Sequence, residues 1–219
     1  MHKIGVLAGS PTDTMMGVAF LAQKGIRALP YAVSASLAEQ QKYLAETEPV
    51  RQQIVEDILI SAKADGVTGI MVYCNVLSTS VDIQTLRQKT ELDIVTPMDV
   101  YQSLAKIYEN VGILTASGSA LGEIEKTMRR ANPQIKCWGI STLDVVYATE
   151  RGEDPIEIVR SMGLNELLAI MTDIWKTQAI ILGCTNFPYF SKELKINGSC
   201  KIIDPSEEML ESLIASSSI

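Results

Sequence analysis

Cys74 and Cys184 are the residues of this 219-residue chain best suited to chemistry, because they recur at matching places in a sequence that nearly repeats itself. Ile4 to Gly9 precedes a second apolar run, Gly69 to Cys74, and Val111 to Ala116 precedes Ala179 to Cys184. Cys74 follows Gly5 by 69 residues and Cys184 follows Gly112 by 72, so the offset is nearly constant. Each thiol closes an apolar strand and is followed at once by a polar residue, Asn75 or Thr185. If the halves fold alike and face each other, the two sulfurs end on opposite walls of one cleft. Two opposed thiols can invert a carbon stereocentre without a cofactor. One takes the proton from one face while the other delivers a proton to the opposite face, and the roles exchange in the reverse direction. Because an amino-acid α-proton is poorly acidic, such a site needs aimed donors around the α-carboxylate. A helix N-terminus beside each sulfur would favour thiolate by drawing its pKa toward neutrality. Cys137 and Cys200 lack this context and read as core.

These groups need a scaffold that ends its strands at one place. Val- and Ile-rich runs alternate with segments of helical period, the pattern of parallel sheets covered by helices on both faces. Strands are expected over 3–8, 28–33, 68–74, 92–96, 111–115, 135–140, 178–183 and 201–204. Ile54, Ile58 and Ala62, and likewise Leu121, Ile124 and Met128, are spaced to give buried helical stripes. Gly66 stops the first of these helices and Pro133 lies past the second. Asp204, Pro205 and Glu207 suit the N-cap, N1 and N3 positions of a last helix. The expected fold is α/β, with two pseudo-symmetric, doubly wound parallel-sheet lobes and the site in the cleft between them. The first lobe comprises residues 1–97 plus 205–219 and the second 98–204, with a helix from Asp99 to Glu109 opening the second.

In open parallel sheets, ligands bind beyond the carboxyl ends of the strands. Four segments lie there: Gly9 to Gly17, Cys74 to Ser80, Thr115 to Ser119 and Cys184 to Tyr189. Neither glycine turn matches a nucleotide-binding fingerprint. Gly9, Ser10, Thr12 and Thr14 either cap a helix or bind a carboxylate or phosphate, and Asp13 is a cap, a binding group or an assisting acid.

Bulk properties narrow the partners. A net charge of −7 and the absence of a basic stripe argue against nucleic acid and anionic membranes. No apolar run approaches the ~18 residues of a membrane span. His2 and Lys3 lead straight into a strand instead of a long apolar region, so a cytoplasmic protein is expected. Four cysteines without close pairing, and His2 as the only histidine, predict free thiols and no metal. A composition of 47% hydrophobic and 21% charged residues gives no disordered tract.

The chain resembles the aspartate/glutamate racemase superfamily. Leu182-Gly183-Cys184-Thr185-Asn186-Phe187-Pro188 is similar to its Leu-Gly-Cys-Thr-(His/Glu)-x-Pro segment, and Cys74-Asn75 to the start of its Cys-Asn-Thr segment. Thr115, Gly118 and Ser119 resemble its Thr-x-Gly-Thr turn, and Ile203-Asp204-Pro205 the entry to its last helix. The resemblance implies cofactor-independent racemisation of aspartate or glutamate by Cys74 and Cys184, and a homodimer. It also implies that Asn75, Thr115, Ser119 and Thr185 hold the substrate's α-carboxylate and amine, with Ser10 and Asn186 beside them. Three positions depart from the pattern. Val76 replaces the Cys-Asn-Thr threonine, Asn186 replaces the proton-exchanging His or Glu, and Ala8-Gly9-Ser10 stands where glutamate racemases carry Asp-Ser-Gly. These departures leave two alternatives open. One is another reaction next to a carboxylate or carbonyl, of the maleate isomerase, hydantoin racemase or decarboxylase type. The other is a non-catalytic protein that binds an amino acid or dicarboxylate. Arg51 and Arg151 are the cations nearest to hand for an acidic side chain, and each also reads as a solvated surface group.

Overall fold

The protein's computed structural model describes residues 3–196 and 198–216, so His2 lies outside the described residues. The described residues divide into two compact units, one up to Asp99 together with Ser206 onward, the other Val100–Pro205. The first contains β1 (Ile4–Ala8), α1 (Pro11–Gln23), β2 (Ala28–Ala32), α2 (Leu37–Ala45), α3 (Glu48–Ala64), β3 (Gly69–Val72), α4 (Asn75–Ser80), α5 (Ile83–Thr90) and β4 (Asp93–Val95). The divide falls within α6 (Pro97–Ile107). The second unit holds β5 (Asn110–Thr115), α7 (Gly118–Ala131), β6 (Lys136–Ser141), α8 (Leu143–Glu150), α9 (Pro155–Ser161) and α10 (Leu164–Ala169). A π-helical turn (Ile170–Ile174), β7 (Ala179–Leu182), two 3-10 turns and β8 (Lys201–Ile203) follow, and α11 (Pro205–Ser216) closes the described chain.

Each unit is built on a four-stranded, all-parallel sheet, ordered β2-β1-β3-β4 in one and β6-β5-β7-β8 in the other. The two orders are the same arrangement. All eight strands lie within one to two residues of where the apolar runs place them at either end. β1, β3 and β7 are buried at every residue, as expected for strands covered on both faces. The repeat extends to the register. Gly5 pairs with Ile70 and Gly112 with Ile180, so each cysteine lies four residues beyond the isoleucine partner of its unit's strand glycine. In both places a Cβ on the glycine would collide with that isoleucine, at 2.7 Å from Ile70 Cδ1 and 2.6 Å from Ile180 Cδ1. Glycine therefore lets the neighbouring isoleucine fill the layer above the sheet.

Two helical expectations need correction. The buried stripe of α3 is Val55, Leu59 and Ala62, while Ile54 and Ile58 are only partly buried and pack at its edge. The helix expected from Asp99 begins at Pro97 instead. Thr96 and Asp99 explain the earlier start: Thr96 N–H and Oγ1 both donate to Asp99 Oδ2 at 2.8 Å, and Asp99 N–H returns a 3.3 Å bond to Thr96 Oγ1. This reciprocal cap leaves Pro97 at the first helical position, where its missing N–H costs nothing. Among the described residues no helix is long and apolar enough to cross a membrane.

Candidate active site

In the first unit, the turns after β1 and β3 lie side by side because those strands are neighbours. Ser10, extended at φ −127° and ψ 162°, caps α1 and accepts the Asp13 N–H at 3.3 Å, while its hydroxyl donates to Asp13 Oδ2 at 3.0 Å. Pro11 at the start of α1 completes a helix entry in which Asp13 stands in the first turn, where the dipole favours a carboxylate. The segment Ser10–Thr14 is thus a helix cap, and its Asp13 carboxylate also acts on the thiol across the turn.

Cys74 is itself an N-cap. Its sulfur accepts the Leu77 N–H at 3.5 Å at the head of α4, and its carbonyl accepts from Ser78 N–H and Oγ. The expectation that this helix end lowers the thiol toward neutrality is overturned. Burial is the largest influence on Cys74, and together with the nearby Asp13 carboxylate it pushes the pKa from 9.0 up to about 11. The amides of Leu77, Val76 and Gly9 pull the other way without prevailing. Six residues of helix and one long N–H···S bond do not offset removal of the sulfur from water beside a negative charge. In the resting protein Cys74 is a thiol. Asn75, next along, is buried.

The segment after β2 supplies groups that motif reading misses. Ser36 caps α2 and accepts Glu39 N–H at 3.2 Å, and Glu39 Oε2 reaches back to accept the N–H of Ala35, the residue before the cap, at 2.9 Å. Ser34 Oγ donates to the Gly9 carbonyl at 2.6 Å. From α2, Gln40 lies directly against Gly9, where a Cβ would fall 2.0 Å from Gln40 Nε2. Tyr43, buried, shares a 3.2 Å hydrogen bond with Ser80 Oγ, and its raised pKa reflects burial first and also the Cys74 charge. The Ser36-x-x-Glu39 spacing signals this helix in the sequence, but nothing there links Gln40 to Gly9.

In the second unit, Ser117 caps α7 and accepts Ala120 N–H at 3.3 Å, and its hydroxyl lies 3.1 Å from Ser119 Oγ. Thr115 is fully buried at the end of β5 and donates Oγ1–H to the Ser117 carbonyl at 3.0 Å. Its methyl abuts Gly183, where a Cβ would stand 2.8 Å from Thr115 Cγ2, and this places Thr115 beside the Cys184 turn. Gly183 N–H donates to the Leu114 carbonyl at 2.7 Å, holding that turn to β5. Cys184 is half-buried, and the buried Asn186 directs Nδ2 at its sulfur from 3.9 Å. Thr185, also half-buried, lies between them. Thus Ser10, Cys74 and Asn75 gather at one sheet's carboxyl end, and Thr115, Ser119, Cys184, Thr185 and Asn186 at the other's.

The two nominated arginines are engaged elsewhere. Arg51 donates to the carbonyls of Ser80 (3.0 Å), Leu44 (3.4 Å) and Glu46, tying α2, α3 and α4 together. Arg151 pairs with Glu153 at 2.7 Å in an exposed turn. Cys137 and Cys200 are half-buried rather than deep core, and burial raises both thiols, Cys137 to about 11.

A sequence model of the Asp/Glu/Hydantoin racemase family matches residues 32–213. Glutamate racemase of Fusobacterium nucleatum is 24% identical over 173 residues, an alignment covering 77% of this chain and 64% of that protein. Glutamate racemase of Limosilactobacillus reuteri is 28% identical over 106 residues, covering 47% and 39%. The chain therefore spans under two thirds of the length of these relatives. Among solved structures, an aspartate racemase homologue from Pyrococcus horikoshii superposes with a TM-score of 0.72 at 14% identity, covering all of both chains. Glutamate racemase from Francisella tularensis, solved with D-glutamate, gives 0.67 at 19% identity, covering 99% of this chain and 82% of that one. At such identities the structural likeness speaks for the fold. Joined to a sequence match over most of its length, it shows that this chain belongs to the Asp/Glu/Hydantoin racemase family.

Proposed function

We propose that the protein is a cofactor-independent racemase of an acidic amino acid, aspartate or glutamate, in which Cys74 and Cys184 exchange the α-proton. The observation that supports this most is the equivalence of the two thiols: each stands four residues past a register-matched isoleucine, at the carboxyl end of β3 or β7, in a chain of this family. Relatives in the family are named glutamate racemase, and one was solved with D-glutamate.

The reaction we envisage balances without a redox partner. One cysteine thiolate takes the α-proton and becomes a thiol. The carbanionic substrate is then protonated on its other face by the second thiol, which is left as the thiolate. Because Cys74 rests protonated, it is the donor in the first direction and Cys184 the acceptor. The product state, with Cys74 as thiolate and Cys184 as thiol, is the form that runs the opposite direction. Asn186 lends Cys184 a hydrogen bond but cannot carry a proton at neutral pH. Asn75, Thr115, Ser119 and Thr185 hold the α-carboxylate and ammonium, with Ser10 and Asn186 beside them. Charge build-up at the α-carbon is what these donors offset in the transition state. We place the enzyme in the cytoplasm and, following the family resemblance, as a homodimer, an assembly that light scattering of the purified chain checks.

Turnover in D2O tests the proposal: aspartate or glutamate should acquire solvent deuterium at the α-carbon while its optical rotation decays. No exchange with either acid would overturn it. Val76 and Asn186 favour a second reading, another reaction next to a carboxylate or carbonyl, which a substrate panel of dicarboxylates and hydantoins would reveal. A pure binding protein would instead leave both thiols inert to iodoacetamide, with no protection by ligand.

A further inference from the structure

We propose that Gln40 reads the polar end of the substrate's side chain, making the ligand class an α-amino acid that ends in a carboxylate or a carboxamide. This rests on the racemase reading above for the location of the α-carbon near Cys74, and it adds a residue that no family motif nominates.

Gln40 comes from α2, whose start is held by the Ser36 cap, by Glu39 bonding the Ala35 N–H and by Ser34 Oγ bonding the Gly9 carbonyl. Its carboxamide is pressed on Gly9 so closely that any larger residue there would have to displace it. Gly9 and Cys74 each lie two residues past the paired Leu7 and Val72 of neighbouring strands, so the turn that Gln40 packs on is the one beside the thiol. Three residues on, Tyr43 stands on the same helix face, and its phenol feels the Cys74 charge. The Tyr43 hydroxyl is occupied by Ser80, and the nearby Arg51 by three carbonyls. Among the described residues the Gln40 side-chain amide has no hydrogen-bond partner, although the residue is half-buried. A half-buried amide keeps contact with water, which a ligand bound beside Cys74 can displace.

The α-carboxylate and ammonium already have Asn75, Thr115, Ser119 and Thr185, so Gln40 is left for the far end of the side chain. A carboxamide is neutral, with two donors and an acceptor. It can donate Nε2–H to a terminal carboxylate, or pair donor and acceptor with a terminal amide. Recognition is therefore by hydrogen-bond pattern and not by charge.

Calorimetric binding of glutamate, glutamine and alanine to the full chain tests this, alongside α-deuterium exchange. Gln40→Glu should weaken glutamate about tenfold or more, the loss of one hydrogen bond to a charged group, weaken glutamine less because the carboxylate still accepts from its amide, and leave alanine unchanged. Gln40→Met, which keeps the volume against Gly9, should weaken glutamate and glutamine but not alanine. In exchange kinetics the change should fall on KM, not kcat. Unchanged glutamate binding in both variants would overturn the proposal, as would equal weakening of all three ligands, which marks a structural role. If Gln40→Glu does not fold, the Gln40→Met comparison decides. Wild-type binding without exchange would sink the racemase reading alone, and wild-type binding of none of the three would sink both.

Discussion

The turn after β1 and the turn after β5 share one frame. Ser10 and Ser117 each cap the following helix and each accept the amide three residues on, at 3.3 Å in both. Three residues past the cap, however, the first turn carries Asp13 and the second Ala120. The strands that end in cysteine diverge in the same way. Cys74 heads the α-helical turn α4 and takes its Leu77 amide, whereas Cys184 leads into a 3-10 turn in which Asn186 directs an amide at the sulfur. The scaffold is duplicated and the side chains that attend it are not. The Asp13 carboxylate acts on Cys74 and helps raise its pKa, while the Asn186 amide points at Cys184. Repetition thus sets where each sulfur stands, and single unmatched residues set which groups attend it.

The strongest test of that contrast removes each thiol in turn. Cys74→Ala and Cys184→Ala should each lower α-proton exchange by roughly 10²–10⁴-fold, the usual worth of a positioned acid or base. Equal losses measured by NMR would support a two-base exchange. Full activity in either variant would show that the equivalence of the two positions is structural only. The scaffold half of the comparison is probed by Gly5→Ala and Gly112→Ala. Each forces a methyl onto an isoleucine Cδ1 and should cost about 1–3 kcal/mol in urea unfolding, by similar amounts if the units are packed alike.

Most of the scaffold was legible in the sequence because it depends on local signals. Val- and Ile-rich runs reveal parallel strands whichever residues cover them, and β1, β3 and β7 are buried throughout as such runs require. The cysteines' place at the ends of β3 and β7 followed from the repeat. The protonation of Cys74 did not, because it depends on burial and on Asp13, distant in sequence and near only after folding. Gln40 escaped notice for the same reason: its contact with Gly9 joins the α2 face to the β1 turn, and no spacing encodes that. The start of α6 was readable, since Thr96-Pro97-Met98-Asp99 spells a cap, but that cap directly abuts the end of β4 and shares the apolar run that signals the strand. The stripe of α3 was displaced by one position because Ile54 and Val55 compete for the same face, and only packing against β3 and β1 decides between them.

Asp13→Asn addresses the charge difference directly. Iodoacetamide labelling of Cys74, followed by peptide mass mapping, should rise with pH toward a midpoint of about 11 in the ligand-free protein. The asparagine variant removes one of the influences that raise the thiol, so its midpoint should move down while burial keeps it above 9.0. The sign for stability follows. An unfolded cysteine ionises near 9.0 and the folded one near 11, so between these values the native state binds the extra proton and stability falls as pH rises. In Asp13→Asn that alkaline loss should begin at the same pH and end sooner. An unchanged labelling midpoint would show that Asp13 does not govern Cys74.

The smallest expected effect separates capping from chemistry. Ser10→Ala and Ser117→Ala each delete an N-cap and should each cost about 1 kcal/mol, read from thermal or urea unfolding. Their energetic equality is what a duplicated frame requires. Their chemical consequences should differ, because Ser10 Oγ also donates to Asp13 Oδ2. Without that bond the carboxylate is freer to turn away from the first turn of α1, and the labelling midpoint of Cys74 should shift. Ser117→Ala has no carboxylate at the corresponding position and should leave the Cys74 midpoint where it was. If both variants moved it equally, the unequal charging of the two turns would not be what distinguishes the thiols.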